Sequence, residues 1–402
     1  MGDPIRVAIT GWGSINALGV GVAAFEAGLR AGRCGIATLT CLPDDGYRST
    51  VAAEAPMTAL PAGLPKAVAR RASRTARLAL VAADEAWRMA GRGDTADVGV
   101  VLGTSTGGMS HGEESYRRAA RGGLRRTTRA SWLETPVSVS GDQVAALIGS
   151  HGPRLTVSTA CSSGANALGL AADWIRSGRV ATAVCGAAES LCRMTFSGFN
   201  ALQALDRVPC RPFDRSRAGL SLGEGAAMFV FENWADAERR GVPILGEFLG
   251  YGVSADAHHL TQPRPDAAGA VLAIERALAD ARRAADAIDY VNAHGTGTPL
   301  NDVAEARALR TVLGTRVACV PVSSTKSQVG HCLAAAGAIE ALATLLGLRG
   351  GFAPPTATLR DPDPQCALDH VVGASRSVRM RIALSNSYGF GGNNTSVVLG
   401  AA

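Results

Sequence analysis

The segment Thr156-Val-Ser-Thr-Ala-Cys161-Ser-Ser-Gly-Ala-Asn-Ala-Leu-Gly-Leu-Ala-Ala172 decides the fold of this chain. Its β-branched start predicts a short buried strand over residues 155–159, and apolar residues at helical spacing predict a helix over residues 165–175. Cys161 therefore falls where a strand turns into a helix. At such a junction the first-turn amide N–H groups and the helix dipole lower the pKa of a thiol. The segment predicts a reactive cysteine at a cleft rather than a structural one in the core.

The composition is typical of an α/β protein of two or three domain-sized units. Of the 402 residues, 47% are hydrophobic but only 5% aromatic, so the core is expected to consist of aliphatic and small side chains. The nine cysteines have no paired spacing and no signal-peptide pattern precedes them, which predicts reduced thiols and a cytoplasmic protein. The sequence contains no CxxC pair and no long uninterrupted apolar run, so we expect neither a zinc site nor a membrane span.

The chain carries a formal net charge of +6, almost entirely from arginine, since its only lysines are Lys66 and Lys326. The arginines are not interleaved with aromatic residues as they are in proteins that bind single-stranded nucleic acid. We therefore expect no nucleic-acid partner, and an acidic protein partner accounts for the surplus equally well.

Strand and helix patterns alternate along the whole chain, and residues 244–253 begin a second half. Continuous apolar runs predict strands over residues 5–10, 98–102, 155–159, 180–188, 226–231, 288–292, 317–323, 381–387 and 395–399. Helical spacing predicts helices over residues 22–31, 67–91, 139–148, 165–175, 268–284, 304–313 and 331–348. Residues 33–64 are expected to form loops and short strands, and the charged residues 111–129 are expected to be exposed. This element order predicts two related α/β/α halves that face each other across an active cleft.

Two of the seven histidines lie in polar, glycine-flanked segments that follow predicted strands. They are His294 in Asn292-Ala-His-Gly-Thr-Gly-Thr-Pro299 and His331 in Ser323-Ser-Thr-Lys-Ser-Gln-Val-Gly-His331. A thiol and two imidazoles are a workable set for acyl transfer, because the thiolate takes up an acyl group while the imidazoles donate hydrogen bonds to a developing oxyanion. The other five histidines lack such surroundings and are interpreted as structural.

Four motifs occur in one order along the chain: the Cys161 segment, the His294 segment, Lys326-Ser-Gln-Val-Gly-His331 and Asn386-Ser-Tyr-Gly-Phe-Gly-Gly392. Together they resemble the β-ketoacyl-[acyl-carrier-protein] synthases of the I/II type, over essentially the whole chain. The resemblance implies a thiolase-like α/β fold, with two pseudo-repeated halves in a layered αβαβα arrangement. Residues 1–245 would form the half with the nucleophilic cysteine, and residues 246–402 the half with both catalytic histidines.

The resemblance also implies roles in a decarboxylative Claisen condensation, which yields a β-ketoacyl-carrier protein. Cys161 would accept an acyl chain from the thioester of an acyl carrier protein. His294 and His331 would stabilise the enolate that forms when malonyl-carrier protein loses CO2. Lys326 would orient these groups, while the backbone N–H groups of Cys161 and Phe390 would form the oxyanion hole and Phe390 would gate access.

Further positions follow from the same resemblance. Glu305 and Glu340 would support the site, and Thr106 would line the acyl pocket, where its small hydroxylated side chain would admit a longer or more polar, unsaturated chain. Three threonines would line the pantetheine channel: Thr296, Thr298 and Thr261. Four basic residues would dock the acidic carrier protein: Lys66, Arg70, Arg71 and Arg211. No metal, nucleotide or bound redox cofactor is implied, because the substrates travel on the phosphopantetheine of the carrier.

The sequence is compatible with more than one pathway and with more than one kind of dimer. Residues 217–225 and 391–396 look more like ketosynthases of aryl-polyene and other type II polyketide pathways than like housekeeping fatty-acid enzymes. A CoA-dependent thiolase would carry a second catalytic cysteine where this chain has the Gly389-Phe-Gly-Gly loop. A structural ketosynthase-like partner, such as a chain-length factor, would lack the nucleophile that Cys161 supplies. The chain is thus expected to be a catalytic subunit, in a homodimer or in a heterodimer with a chain-length-factor-like subunit.

Overall fold

A computed structural model describes residues 5–43, 45–93, 95–123 and 129–402 of the protein. Its strands are β1 (Val7–Asn16), β2 (Gly19–Val20), β3 (Ala37–Thr38), β4 (Val51–Ala52), β5 (Gly99–Gly103), β6 (Arg154–Val157), β7 (Thr182–Glu189), β8 (Gly225–Asn233), β9 (Gly246–Ala255), β10 (Tyr290–Asn292), β11 (Pro321–Ser323), β12 (Phe352–Ala353), β13 (Asp369–His370), β14 (Arg376–Ser377), β15 (Ile382–Gly389) and β16 (Asn393–Gly400). Its α-helices are α1 (Val22–Arg30), α2 (Lys66–Arg71), α3 (Arg74–Ala90), α4 (Met109–Gly122), α5 (Arg129–Leu133), α6 (Val139–Ile148), α7 (Ser163–Arg176), α8 (Arg193–Ala201), α9 (Trp234–Arg240), α10 (Ala268–Asp280), α11 (Pro299–Leu313), α12 (Lys326–Val329) and α13 (Ala336–Gly350).

The main sheet contains the same strand arrangement twice. One half has the spatial order β6-β5-β7-β8-β1, and the other has the order β11-β10-β15-β16-β9. In each half four strands run in one direction and one strand, β8 in the first half and β16 in the second, runs in the opposite direction, at the corresponding place in the order. Three antiparallel residue pairs between β1 and β9 join the halves into one sheet. The repeated order is the pseudo-repeat expected of the fold, although the boundary at residues 245 and 246 stays a prediction.

Helices cover the two halves of the sheet in layers. Helices α3 and α6 pack on one outer face, against β1, β5, β7 and β8, and α10 packs on the other outer face, against β9 and β16. Helices α7 and α13 lie between the halves, because each contacts strands of both and they contact each other. Separate apolar clusters fill the outer and the central interfaces. These contacts define the αβαβα order of layers.

The two central helices cross at a pair of glycines. A Cβ atom on Gly164 would lie 2.8 Å from the backbone N of Ala338, and one on Gly337 would lie 2.7 Å from the backbone N of Ala165. Only glycine permits this approach at either position, because real Cβ atoms do not come so close to backbone atoms. The beginnings of both helices, and the loops before them, are thereby held side by side in the centre of the molecule.

The helix predicted over residues 67–91 is in fact two helices, α2 and α3. The chain turns at Ala72, and Ser73 adopts an extended conformation in which its hydroxyl accepts a hydrogen bond from the N–H of Ala76, 3.2 Å away. Serine is a favoured N-cap because its side chain satisfies one of the free N–H groups of the first turn. Arg74, in the first turn of α3, pairs with the fully buried Glu224.

The helix predicted over residues 331–348 begins later, at Ala336. A short 3-10 turn, Leu333–Ala335, precedes it, and Leu333 has a φ of 48°. This backbone reversal leaves His331 in an extended segment that pairs with Leu222. The predicted helix therefore started too early and wrongly included His331, a residue of the candidate site.

Several other predicted segments differ from the structure at their ends. The strand predicted over residues 317–323 begins only at Pro321, because Gly314–Ala318 forms a 3-10 helix, and the helix predicted over residues 268–284 ends at Asp280. Strand β1 continues past the predicted residues 5–10 to Asn16, and α11 begins at Pro299 rather than at residue 304. Helix α4 occupies the first part of the charged segment 111–129, of which residues 124–128 lie outside the described part of the chain. Among the described residues, Leu333–Gly350 is long and apolar enough to cross a membrane, but 89% of it is buried, as in a central core helix.

Candidate active site

Cys161 lies at a sharp turn between β6 and α7. The residue before it, Ala160, has a φ of 53°, which is unusual for a residue with a side chain. Ser163 stabilises the turn, because its hydroxyl donates to the carbonyl of Ala160 at 2.6 Å and accepts from the N–H of Thr159 at 2.8 Å. The turn leaves the thiol 6% exposed at the inner end of a cavity.

The environment of Cys161 favours the protonated thiol over the thiolate. Burial raises the pKa of Cys161 to about 11, although the charge of Lys326 and the N–H groups of Phe390 and Cys161 act in the opposite direction. The prediction that the helix terminus lowers this pKa is therefore wrong, because the loss of hydration outweighs the local donors. The amide N–H groups of Phe390 and Cys161 both reach the sulfur, and their role as an oxyanion hole stays a prediction.

Phe390 follows β15 and faces the same cavity as Cys161. Its ring stacks on that of Phe199, with centroids 5.5 Å apart and an interplanar angle of 21°. Phe199 belongs to α8, so the loop after β15 in one half of the chain is packed against a helix of the other half. Phe390 therefore lines the cavity whose access it is predicted to gate, while the gating role itself stays a prediction.

His294 follows β10 and is oriented from two sides. Its backbone N–H donates to Glu305 Oε1 at 2.8 Å, and its ring Nδ1 lies 3.1 Å from Lys326 Nζ. An ammonium group has only donors, so Nδ1 accepts and the ring hydrogen is on Nε2. Lys326 therefore selects the tautomer in which His294 can donate a hydrogen bond through Nε2.

His331 lies in an extended segment between α12 and the 3-10 turn, and its side chain lies next to that of His294. Its backbone N–H donates to Ser221 at 2.7 Å, and its carbonyl accepts from Gly223 at 2.9 Å. Its ring meets that of His294 edge to face, with centroids 5.3 Å apart. Burial, with the charge of Lys326, lowers the pKa of both histidines well below the ordinary value. Near neutral pH both rings are uncharged.

Lys326 and Glu340 form an ion pair that is almost completely buried. Burial raises the pKa of Glu340, and the charge of Lys326 opposes that rise. Glu305, which also binds the N–H of Gly295 at 2.7 Å and accepts from Asn386, has a pKa raised to about 7 by burial. Glu305 thus contacts the backbone of His294 itself and Glu340 contacts Lys326, while the supporting role of both glutamates stays a prediction.

A cavity of about 360 Å³ connects these groups to the surface. Cys161, His294, His331 and Phe390 lie along it, together with the three predicted channel threonines, Thr261, Thr296 and Thr298. The hydroxyls of Thr296 and Thr298 are 2.8 Å apart. The structure therefore brings the predicted nucleophile, imidazoles and channel residues into one space, although they come from distant parts of the chain.

Asp302 and Arg217 hold the channel loop, although neither residue was predicted from the sequence. Asp302 accepts from the N–H groups of Thr296 and Gly297 at 3.1 and 3.2 Å, and Arg217 donates to the carbonyls of Thr298 and Pro299. The signal was present, since Pro299 in the first helical turn followed by an acidic residue is a helix-start pattern.

Thr106 is buried outside this cavity. Its hydroxyl donates to Glu189 Oε1, and the N–H of Ser105 donates to Glu189 Oε2 at 2.7 Å. Glu189 is fully buried, and burial raises its pKa. The hydroxyl of Thr106 is thus used within the protein, and its role at the acyl pocket stays a prediction.

The four predicted docking residues differ in their exposure and in their contacts with other residues. Lys66 and Arg70 are exposed on α2. Arg71 lies 3.5 Å from Glu134, and Arg211 donates to the hydroxyl and the carbonyl of Ser216. Docking by these residues stays a prediction, with Lys66 and Arg70 the most accessible of them.

A repeated α/β half, a cysteine at a strand–helix turn and two uncharged imidazoles define a condensing enzyme of the thiolase-like type. Residues 5–237 match the family model of the β-ketoacyl synthase N-terminal domain, and residues 245–360 match that of the C-terminal domain. The chain belongs to the β-ketoacyl synthase family. In the parts of the chain that the structure describes, no group of three or more His, Cys, Asp or Glu residues is placed to hold a metal ion.

Two curated relatives cover nearly the whole chain. One is the tetracenomycin polyketide synthase ketoacyl synthase alpha subunit of Streptomyces glaucescens, 38% identical over 98% of this chain and 96% of the relative. The other is the 3-oxoacyl-[acyl-carrier-protein] synthase 2 of Synechocystis sp., 34% identical over 98% of this chain and 97% of the relative. A solved structure, "The ishigamide ketosynthase/chain length factor", is similar over the full length of both chains, with a TM-score of 0.94 and 34% identity.

Proposed function

We propose that Cys161 is the nucleophile of a decarboxylative Claisen condensation on carrier-bound substrates. The thiol attacks the thioester of an acyl carrier protein, a new S–C bond forms, and the pantetheine sulfur leaves with the proton. Loss of CO2 from malonyl-carrier protein then gives an enolate, whose carbon attacks the acyl group on Cys161. The Cys161 sulfur leaves as a thiolate and takes up a proton from water, and the product is a β-ketoacyl-carrier protein.

The observation that carries this proposal is the pair of uncharged imidazoles in the same cavity as the thiol. An enolate oxygen needs hydrogen-bond donors, and each well-placed donor contributes on the order of 3 kcal/mol to transition-state stabilisation. His294 donates from Nε2 because Lys326 occupies its Nδ1. The departing CO2 leaves the electron pair behind, so no strong base is required.

Neutral imidazoles also serve the first step. The Cys161 thiol is protonated at rest, since burial raises its pKa to about 11, and a proton acceptor is needed when it attacks. An uncharged histidine in the cavity can take that proton, whereas a charged one cannot. The N–H groups of Cys161 and Phe390 would bind the tetrahedral oxyanion.

We further propose that the chain works in type II polyketide chain elongation, in the cytoplasm, as the catalytic subunit of a dimer. Its 38% identity to the polyketide subunit and its similarity to a ketosynthase/chain length factor structure support the pathway and a chain-length-factor-like partner. The nine free cysteines fit a reducing compartment.

The test is to incubate the protein with a panel of saturated and polyunsaturated acyl carrier proteins and malonyl-carrier protein. Intact-mass analysis should show one acyl adduct on Cys161, and the products should be β-ketoacyl-carrier proteins. The Cys161→Ala variant should fold normally and give neither. An adduct on another residue, or condensation by Cys161→Ala, would overturn the proposal.

A further inference from the structure

His294 and Lys326 lie just beyond the ends of two neighbouring strands. Strands β10 and β11 pair in parallel as far as Asn292 and Ser323, where the N–H of Ala293 donates to the carbonyl of Ser323 at 2.8 Å. After that point the sheet no longer fixes the two chains relative to each other. The contact of Lys326 Nζ with His294 Nδ1, at 3.1 Å, therefore needs another support.

Ser324 supplies a hydrogen bond between the two chains past the end of the strands. Its side chain is fully buried, and its hydroxyl donates to the carbonyl of Gly295, the residue after His294, at 2.6 Å. Glu305 holds the N–H groups of the same stretch, because it accepts from those of His294 and Gly295 at 2.8 and 2.7 Å. The backbone that carries the His294 ring is thus held through its N–H groups and through a carbonyl. The carbonyl is held by Ser324, two residues before Lys326.

The packing at this hydrogen bond leaves little room for movement. Gly295 has a φ of 35°, and a Cβ atom on it would lie 2.6 Å from Ser324 Cβ, closer than real side chains come. Ser324 is itself held, because its N–H donates to the hydroxyl of Thr356 at 3.0 Å. Asn292 also reaches the segment after β11, at the hydroxyl of Thr325, but it does so from the strand and not from the loop beyond it. Ser324 ties the loop itself.

We propose that Ser324 is a positioning residue for the condensation. Its hydroxyl holds the loop of His294 against the segment of Lys326, so that the ammonium group meets Nδ1 and the ring hydrogen stays on Nε2. The inference rests on the proposed function, because this tautomer matters only if His294 donates a hydrogen bond to the enolate. Without the hydroxyl the loop is free to shift, and a hydrogen bond weakens as its distance and angle depart from the optimum.

The test compares the Ser324→Ala variant with Ser150→Ala. Ser150 is the matched control, because its buried hydroxyl also donates to a backbone carbonyl at 2.6 Å, that of Val98, and neither residue lines the cavity of Cys161. For Ser324→Ala we expect kcat for the decarboxylation of malonyl-carrier protein to fall about tenfold, as for the loss of one hydrogen bond, with KM unchanged. Ser150→Ala should change neither constant. Thermal melting establishes that both variants fold.

A second measurement reports the tautomer of His294 and does not depend on activity. In protein with ¹⁵N-labelled histidine, NMR chemical shifts distinguish a protonated from an unprotonated ring nitrogen, and the His294→Gln variant identifies the signal. The unaltered protein and Ser150→Ala should carry the hydrogen on Nε2 alone. Ser324→Ala should show a mixture of the two tautomers. A residue that only stabilised the fold would leave this spectrum unchanged.

Unchanged decarboxylation in Ser324→Ala would overturn the proposal, as would an equal loss of decarboxylation in Ser150→Ala. A lower kcat with the tautomer intact would overturn it too, because Ser324 would then not act through His294. If the unaltered protein decarboxylated no malonyl-carrier protein, the proposed function would fail, and the role of Ser324 in it would fail as well. That result is distinguishable, since the other outcomes require an active unaltered protein.

Discussion

At the scale of single residues, Lys326 is the group on which most of the site depends. It is fully buried, it fixes the tautomer of His294, and it pairs with Glu340. The Lys326→Met variant should lose about 3 kcal/mol of unfolding free energy, because Glu340 is left buried without its partner. It should also lose decarboxylation of malonyl-carrier protein. Urea unfolding and CO2 release measure the two effects.

A second variant separates stability from catalysis at this position. Lys326→Met combined with Glu340→Gln removes both charges, so most of the lost stability should return. Decarboxylation should not return, because nothing then holds Nδ1 of His294 as an acceptor. Recovery of decarboxylation in the double variant would show that Lys326 does not orient the imidazole.

The raised pKa of Cys161 makes a prediction about its reactivity. The neutral thiol is unreactive, so the rate of alkylation by iodoacetamide should rise about tenfold per pH unit between about pH 7 and about pH 10. Peptide mass spectrometry at Cys161 measures the rate, and the urea-unfolded chain, whose thiol titrates normally, is the control. A plateau that begins below about pH 8 would instead indicate a thiolate–imidazolium pair.

Residues that belong to a short sequence motif were predictable. Contacts between residues that are far apart in the sequence were not. The positions of Cys161 and His294 follow from short motifs. The contact of Glu189 with Thr106 spans 83 positions and leaves no local pattern. The pKa of Cys161 was predicted in the wrong direction for the same reason, because burial results from the whole fold and not from one helix end.

At the scale of elements, α8 is anchored by a residue from another helix. Glu113 of α4 accepts from the N–H groups of Arg193 and Met194, at 3.0 and 2.7 Å, and so caps the start of α8. Helix α8 in turn carries Phe199, which stacks on Phe390. The cap is therefore linked to the residue whose N–H faces the thiol.

The Glu113→Ala variant should lose about 1 kcal/mol of unfolding free energy, as when a helix cap is removed, and should acylate Cys161 more slowly. Urea unfolding and stopped-time intact-mass analysis measure these quantities. Glu114→Ala is the matched control, since Glu114 forms its ion pairs with Arg117 and Arg118 of its own helix and does not cap α8 in the described part of the chain. Equal effects of the two substitutions would contradict a specific role for the cap.

Most element positions were predictable from apolar periodicity, and the errors have physical causes. Helix α6 has the predicted bounds, Val139–Ile148. The split at Ser73 was missed because the apolar pattern continues across it, and only the N-cap marks the break. The late start of α13 was missed because small residues on both sides of Leu333 suit a helix, and no local pattern marks the positive φ at Leu333.

At the scale of the whole molecule, the halves share their core. Helix α7, from the first half, packs on β9 and β16 of the second, and α13 packs on β7 and β8 of the first. Residues 1–245 and 246–402 expressed separately should therefore expose one face of a central helix and fail to unfold cooperatively. Co-expression should restore a single transition. Circular dichroism during heating tests both, and independent cooperative folding of either fragment would contradict this expectation.

The matched turns before the two central helices bear on the ancestry of the chain. Ala160 and Leu333 have nearly the same positive φ, and each lies four residues before the glycine at the helix crossing. Aligned in this way, Cys161 of one half corresponds to Ala334 of the other. A duplicated ancestor with two equivalent turns would thus have specialised, so that one copy retains the sulfur while the other contributes the imidazoles that serve it.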